Sequence, residues 1–192
     1  MLEQSTGLSM DNTNNLKKKL SNYEEVLQNT ISYREIWQKG LKKELSALLK
    51  KYAEAVGLSC KIEHKAAFVN LEAIVLSLGA EKSGIFEEVL DGIKRPLIKQ
   101  NGTLLYQQLF NGKIMVAINY PFIEKYGEQQ PLKPIAIYRP EELKEAYILR
   151  HLETFLEEMT KWEDYDDDKP EANQRIGYKM NFNANPEEVK AV

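Results

Sequence analysis

Both ends of the chain carry long amphipathic helical patterns, and their charges are opposite. Residues 16–52 hold nine Lys or Arg against four Glu, a formal +5, and residues 141–163 hold three Lys or Arg against seven Glu, a formal −4. An apolar stripe on a helix has to be covered by a sheet, by another helix or by another molecule. The stretch between the two ends is rich in β-formers. The layout therefore predicts an α+β domain, with an antiparallel sheet of about five strands packed with a long N-terminal helix, a short middle helix and a long C-terminal helix.

The N-terminal pattern runs Leu16, Leu20, Tyr23, Leu27, Thr30, then Trp37 and Leu41, with Arg34 interrupting it. This is a coiled-coil-like seam. It shifts to Leu45, Leu48, Tyr52 and Ala55, like a four-residue insertion. Gly40 leaves open one long helix or two abutting ones, and Gly57 is placed to end the run. Residues 1–14 are polar and read as a flexible tail.

Residues 58–64 alternate as a half-buried strand, with Leu58, Cys60 and Ile62 facing one way. Residues 68–78 make a second strand. Ile85, Phe86, Val89, Leu90 and Ile93 fall at helical spacing and predict the short middle helix. Asn111-Gly112 separates two β-rich runs within 103–120 and predicts a hairpin with a two-residue type I′ turn. Residues 135–138 form a last strand. Pro140 then opens the C-terminal helix, whose stripe is Ile148, Leu149, Leu152, Phe155, Leu156, Met159 and Trp162. Residues 164–192 form an acidic and then polar arm. The organisation is a tail over 1–14, one domain over 15–163 (helical 15–56, mainly β 58–139, helical 140–163) and the arm.

Motifs for chemistry fail on residue identity. The loop from Gly79 to Gly84 lacks the glycine and Gly-Lys pair of a phosphate-binding loop, and Glu81 would repel the anion. Glu63-His64-Lys65 lacks the preceding Asp of a metal-dependent nuclease triplet. Asp164, Asp166 and Asp168 fit the start of a calcium loop, but Lys169 and Arg175 stand where Gly and Glu are needed. His64 and His151 have no neighbours at metal-ligand spacing. His151 reads as a surface or boundary residue, and Cys60 as an inert buried thiol. No cofactor or metal is expected. Residues 1–162 sum to +1, which gives no footprint for nucleic acid. No apolar run reaches a membrane span. The lone cysteine and the polar N-terminus point to the cytoplasm.

The texture resembles that of class I type III secretion chaperones and related small α/β proteins. The resemblance rests on residues 48–58 (LLKKYAEAVGL) running into a strand, and on residues 152–159 (LETFLEEM) closed by Trp162. It spans about residues 45–163 and implies a non-enzymatic homodimer that binds an extended client segment.

The expected function is a non-catalytic protein–protein interaction, adaptor or chaperone-like module, a homo-oligomer with a dimer favoured and a protein partner or client. The packing or interface candidates are Leu20, Leu27, Trp37, Leu41, Leu45, Leu152, Phe155, Leu156, Met159 and Trp162. One alternative is a ligand-binding or sensory domain, with a pocket lined by Tyr106, Tyr120, Tyr138 and Tyr147. The other is an enzyme whose site is assembled from scattered carboxylates.

Overall fold

The computed structural model describes residues 10–89 and 92–165. Most of the expected tail and of the C-terminal arm, including Asp166 and Asp168, lies outside these residues. Helix begins earlier than the sequence pattern suggested. α1 spans Met10–Ile36, a π-helical turn spans Trp37–Leu41, and α2 spans Lys42–Ala55.

The π turn answers the question raised by Gly40. Tyr33, Trp37, Leu41, Leu45, Leu49 and Ala53 are all buried, at four-residue intervals. Four residues overshoot an α-helical turn by about 40°, so the run would wind about 200° around a regular helix. The wider turn takes back roughly one residue of twist and returns the later side chains to the same sheet. Gly57, at φ +70°, ends α2. Leu58 N–H donates to the Ala53 carbonyl and Gly57 N–H to the Glu54 carbonyl, which satisfies the last turn as expected.

The strands are β1 (Lys61–Phe68), β2 (Leu71–Ser77), β3 (Ala80–Val89), β4 (Ile93–Gln100), β5 (Thr103–Gln108), β6 (Ile114–Asn119), β7 (Phe122–Ile123) and β8 (Lys133–Tyr138). They form a five-stranded antiparallel sheet, β1-β2-β5-β6-β8, and a second, three-stranded one, β3-β4-β7. The two sheets share one long ladder. Pairing keeps one register from Ala73↔Gln107 of β2–β5 to Ala80↔Gln100 of β3–β4. Pro134 sits in the edge strand β8, where its missing N–H is tolerated.

The expected middle helix over 85–93 is instead the β3–β4 hairpin. A short apolar run has no decisive period, and a helix of that length does not recover its nucleation cost. Pairing with β4 over residues 80–82 and 86–89 satisfies the backbone there instead. Gly84 and Gly92 take φ +80° and +74°, which interrupt a helix but fit the irregularity between Lys82 and Phe86 and the turn at the tip. The expected second strand over 68–78 likewise contains a turn, at Val69-Asn70, with Asn70 at φ +61°.

The β5–β6 hairpin is present, but its turn is longer than a type I′ pair. Gly112 N–H donates to the Leu109 carbonyl and Leu109 N–H to the Lys113 carbonyl. Gly112 alone of the turn residues has positive φ. This is a type I turn closed by a glycine bulge, a three-residue loop. The tip packs on α1: a Cβ on Gly112 would lie 2.8 Å from Tyr33 Cβ and 3.0 Å from the Thr30 carbonyl oxygen. Gly112→Ala is expected to cost about 2 kcal/mol, from positive φ and the clash together. Gly84→Ala has the same φ problem in open space and should cost about half as much. Urea midpoints of the two variants compare these terms, and equal losses would remove the steric part.

A 3-10 turn over Pro140–Glu142 precedes α3, Glu145–Glu163. The core lies between the five-stranded sheet and the helices: Trp37, Leu41, Leu45 and Leu49 on one side, Ile74, Leu76, Leu104, Tyr106, Ile114, Val116 and Ile118 from the sheet, and Ile148, Leu152, Phe155 and Met159 from α3. Leu58, Cys60 and Ile62 pack against it, as their alternation predicted. α2 and α3 meet where Glu145 accepts from Lys51 Nζ at 2.9 Å and Tyr52 Oη at 2.7 Å. Opposite charges thus meet on α2, while the basic start of α1 lies apart.

Candidate functional site

The stripe of α1 changes surroundings along its length. Its C-terminal end is tied down. Trp37 is fully buried, and its Nε1–H donates to Glu72 at 3.1 Å. Gln38 and Lys42 donate to the same carboxylate at 2.9 and 2.7 Å. The Lys42 ammonium, with Gln38 and then Trp37, holds the Glu72 carboxyl at about 2 against the opposing effect of burial. Arg34 Nη2 donates to the Phe110 carbonyl at 2.7 Å. Before Gln28, every described side chain of α1 is exposed. Leu16, Leu20, Tyr23 and Leu27 are 49–65% exposed, with Val26 and Ile31 similarly open beside them. The result is a helical arm with an apolar face, rooted in the core.

The ten packing or interface candidates divide accordingly. Trp37, Leu41, Leu45, Leu152, Phe155 and Met159 lie in the intrachain core. Leu20, Leu27 and Leu156 are exposed. Trp162 is half-buried, with Lys99 Nζ 5.4 Å from its ring centroid.

The four tyrosines do not line one pocket. Tyr106 and Tyr138 hold His151, which is buried, contrary to its reading as a surface or boundary residue. Tyr106 Oη lies 3.1 Å from Nδ1 and Tyr138 Oη 3.1 Å from Nε2. Tyr147 stacks on Tyr138, with centroids 5.4 Å apart. A polar ring is admissible in this core because both nitrogens have a partner. Burial, with Arg150 nearby, lowers the His151 pKa to about 4.

Tyr120 borders a separate cleft with Gln130, Lys133, Glu158, Lys161, Trp162 and Tyr165. Glu158, almost fully buried, accepts from Lys133 Nζ at 2.6 Å, Lys161 Nζ at 2.9 Å and the Tyr120 hydroxyl. Burial pushes its carboxyl up, but those donors outweigh burial and hold it at about 2. Burial, followed by the Glu158 carboxylate, pushes the Tyr120 hydroxyl above the usual phenol range. Both cations of the cleft are thus already paired inside the chain. Local sequence carries no sign of this cluster, because Tyr120, Lys133 and Glu158 come from distant segments.

The remaining motif candidates have structural surroundings. Gly79 and the residues up to Gly84 enter β3. Glu63 of β1 pairs with Lys61 at 2.8 Å and Lys65 at 3.9 Å, and His64 Nε2 is 3.1 Å from Ser46 Oγ. Cys60 is half-buried, and burial pushes its thiol up. Among the described residues no three His, Cys, Asp or Glu side chains converge as a metal site. Among them, too, no helix is long and apolar enough to cross a membrane. The chain matches no protein-family profile, no curated protein and no solved structure.

Proposed function

We propose that this protein is a non-catalytic contact module, adaptor or chaperone-like in role, which docks on helical protein surface through the arm of α1. The supporting observation is the exposure of Leu16, Leu20, Tyr23 and Leu27 on a helix whose next turns are anchored. Contiguous apolar surface of this kind marks interaction sites. The anchor also lowers the cost of binding: the helix is already nucleated by the core, so a partner need not order it. The cleft at Glu158 supports a ligand reading less well, because its lysines are neutralised from within.

Leu27→Glu is expected to weaken association at least about tenfold, since it places a charge in the apolar face. The fold should survive, because Leu27 is half exposed and outside the core. Light scattering on complexes formed by the full chain, beside circular dichroism, checks both. Unchanged mass and affinity for Leu20→Glu and Leu27→Glu together would remove the arm from the function.

A further inference from the structure

We infer that the surface covering the arm is α1 of a second copy, in a parallel, in-register two-stranded coiled coil over residues 16–31. This rests on the contact reading and names its partner. Leu16 and Tyr23 take one core position of the heptad, and Leu20 and Leu27 the other. In a parallel pair, each residue flanking the core on one side meets the residue five further on in the other copy. Lys19 then meets Glu24 of the second copy, and Val26 meets Ile31. The first pair is opposite in charge and the second is apolar on both sides, and each occurs twice in a symmetric dimer.

Val26 and Ile31 support this geometry most directly. They are 59% and 51% exposed and lie beside the four-residue core, not in it. The antiparallel register that buries the same four side chains sets Leu27 against Leu16 and places Val26 opposite Lys19. It leaves the apolar pair unmatched. The parallel register joins them.

There is also room for the second helix. At about 100° per residue, the stripe centred on Leu16–Leu27 lies roughly a quarter-turn from the direction of Tyr33 and Trp37, which face the sheet. The chain's own sheet therefore does not roof the stripe. The stripe leads instead into an open groove lined by Ile31, Arg34, Gln38 and Asn70. Two-fold symmetry about the arm puts the two sheets on opposite sides of the helix pair. Short isolated coiled coils are marginal because helix must first form. Here each arm is already helical and rooted at Trp37.

The test uses the full chain with Cys60→Ser. Light scattering should give twice the 22.2 kDa chain mass. In this background Leu27→Cys should form a covalent dimer on mild oxidation, because in-register core positions approach within disulfide reach. Lys19→Glu should weaken the dimer roughly tenfold, and adding Glu24→Lys should restore it, since the swap recreates both ion pairs. A monomer at micromolar concentration overturns the inference. So does a dimer that cross-links only between Leu16→Cys and Leu27→Cys chains, or one that the charge swap fails to restore. The contact reading fails separately: if the purified chain is monomeric, yet a complex in extracts of its source is lost on Leu20→Glu with Leu27→Glu, the arm still binds, but not to itself.

Discussion

Trp37→Ala should cost about 3–5 kcal/mol of folding stability. The indole is fully buried in the core between the helix and the sheet, so its removal leaves a cavity. The substitution also removes one donor from Glu72, although Gln38 and Lys42 remain on that carboxylate. Trp37→Phe keeps most of the volume and loses the hydrogen bond, so its cost should be smaller, about 1–2 kcal/mol. Urea unfolding followed by circular dichroism measures both. A loss under 1 kcal/mol for the alanine variant would mean that the π turn does not anchor the helix.

The chain should also lose about 2 kcal/mol between pH 7.5 and pH 5 through His151 alone. The folded-state pKa is lowered to about 4 from an ordinary 6.5. Between these values the unfolded chain takes up a proton that the folded chain refuses. Stability from this group is therefore full above 6.5 and falls as the pH drops towards 4. The structural cause is visible in the triad. Neutral imidazole donates from one nitrogen and accepts at the other, whereas protonated imidazole donates from both. Both phenols would then have to accept, so whichever of Tyr106 and Tyr138 donates to the neutral ring would lose the partner for its own proton. His151→Gln should flatten the dependence between pH 7.5 and 5 at some cost in stability at neutral pH. An unchanged slope would assign the effect elsewhere. A further loss should begin below 4.5, as the pH falls towards the lowered values of Glu72 and Glu158.

Elements with a strong local signal are legible in the sequence itself. The Gly57 cap and the inward packing of Leu58, Cys60 and Ile62 hold in the structure, as do Ile148, Leu152, Phe155 and Met159 of the C-terminal stripe, while Leu149 and Leu156 at its edge are exposed. Asn111-Gly112 marked the right hairpin but the wrong turn, because loop length there answers to packing. The tip has to seat Gly112 on Tyr33 and Thr30 of α1. The run around Phe86 has helical spacing but forms strand, because nothing within it records that β2 and β5 continue in register into β3 and β4. That pairing is non-local, and periodicity over nine residues cannot carry it.

The candidate surface was legible as a stripe but not as a boundary. Leu20 and Leu27 look like Leu41 and Leu45 in sequence, yet the first two face solvent and the last two face the sheet. The difference lies in how far the sheet reaches along the helix, which ends near the β5–β6 turn. His151 and Glu158 were illegible for a related reason, since Tyr106, Tyr120, Lys133 and Tyr138 reach them only across the folded core.

Composition and period alone determined that this chain builds helices at both ends, with apolar faces, around an antiparallel β centre, since those properties depend on neighbours a few residues apart. Tertiary structure alone decided which part of each face is core and which is surface, that two sheets share one ladder, and that a histidine and a glutamate are buried with partners. Those outcomes depend on contacts between segments far apart in the chain, whose free energies arise only once the segments meet.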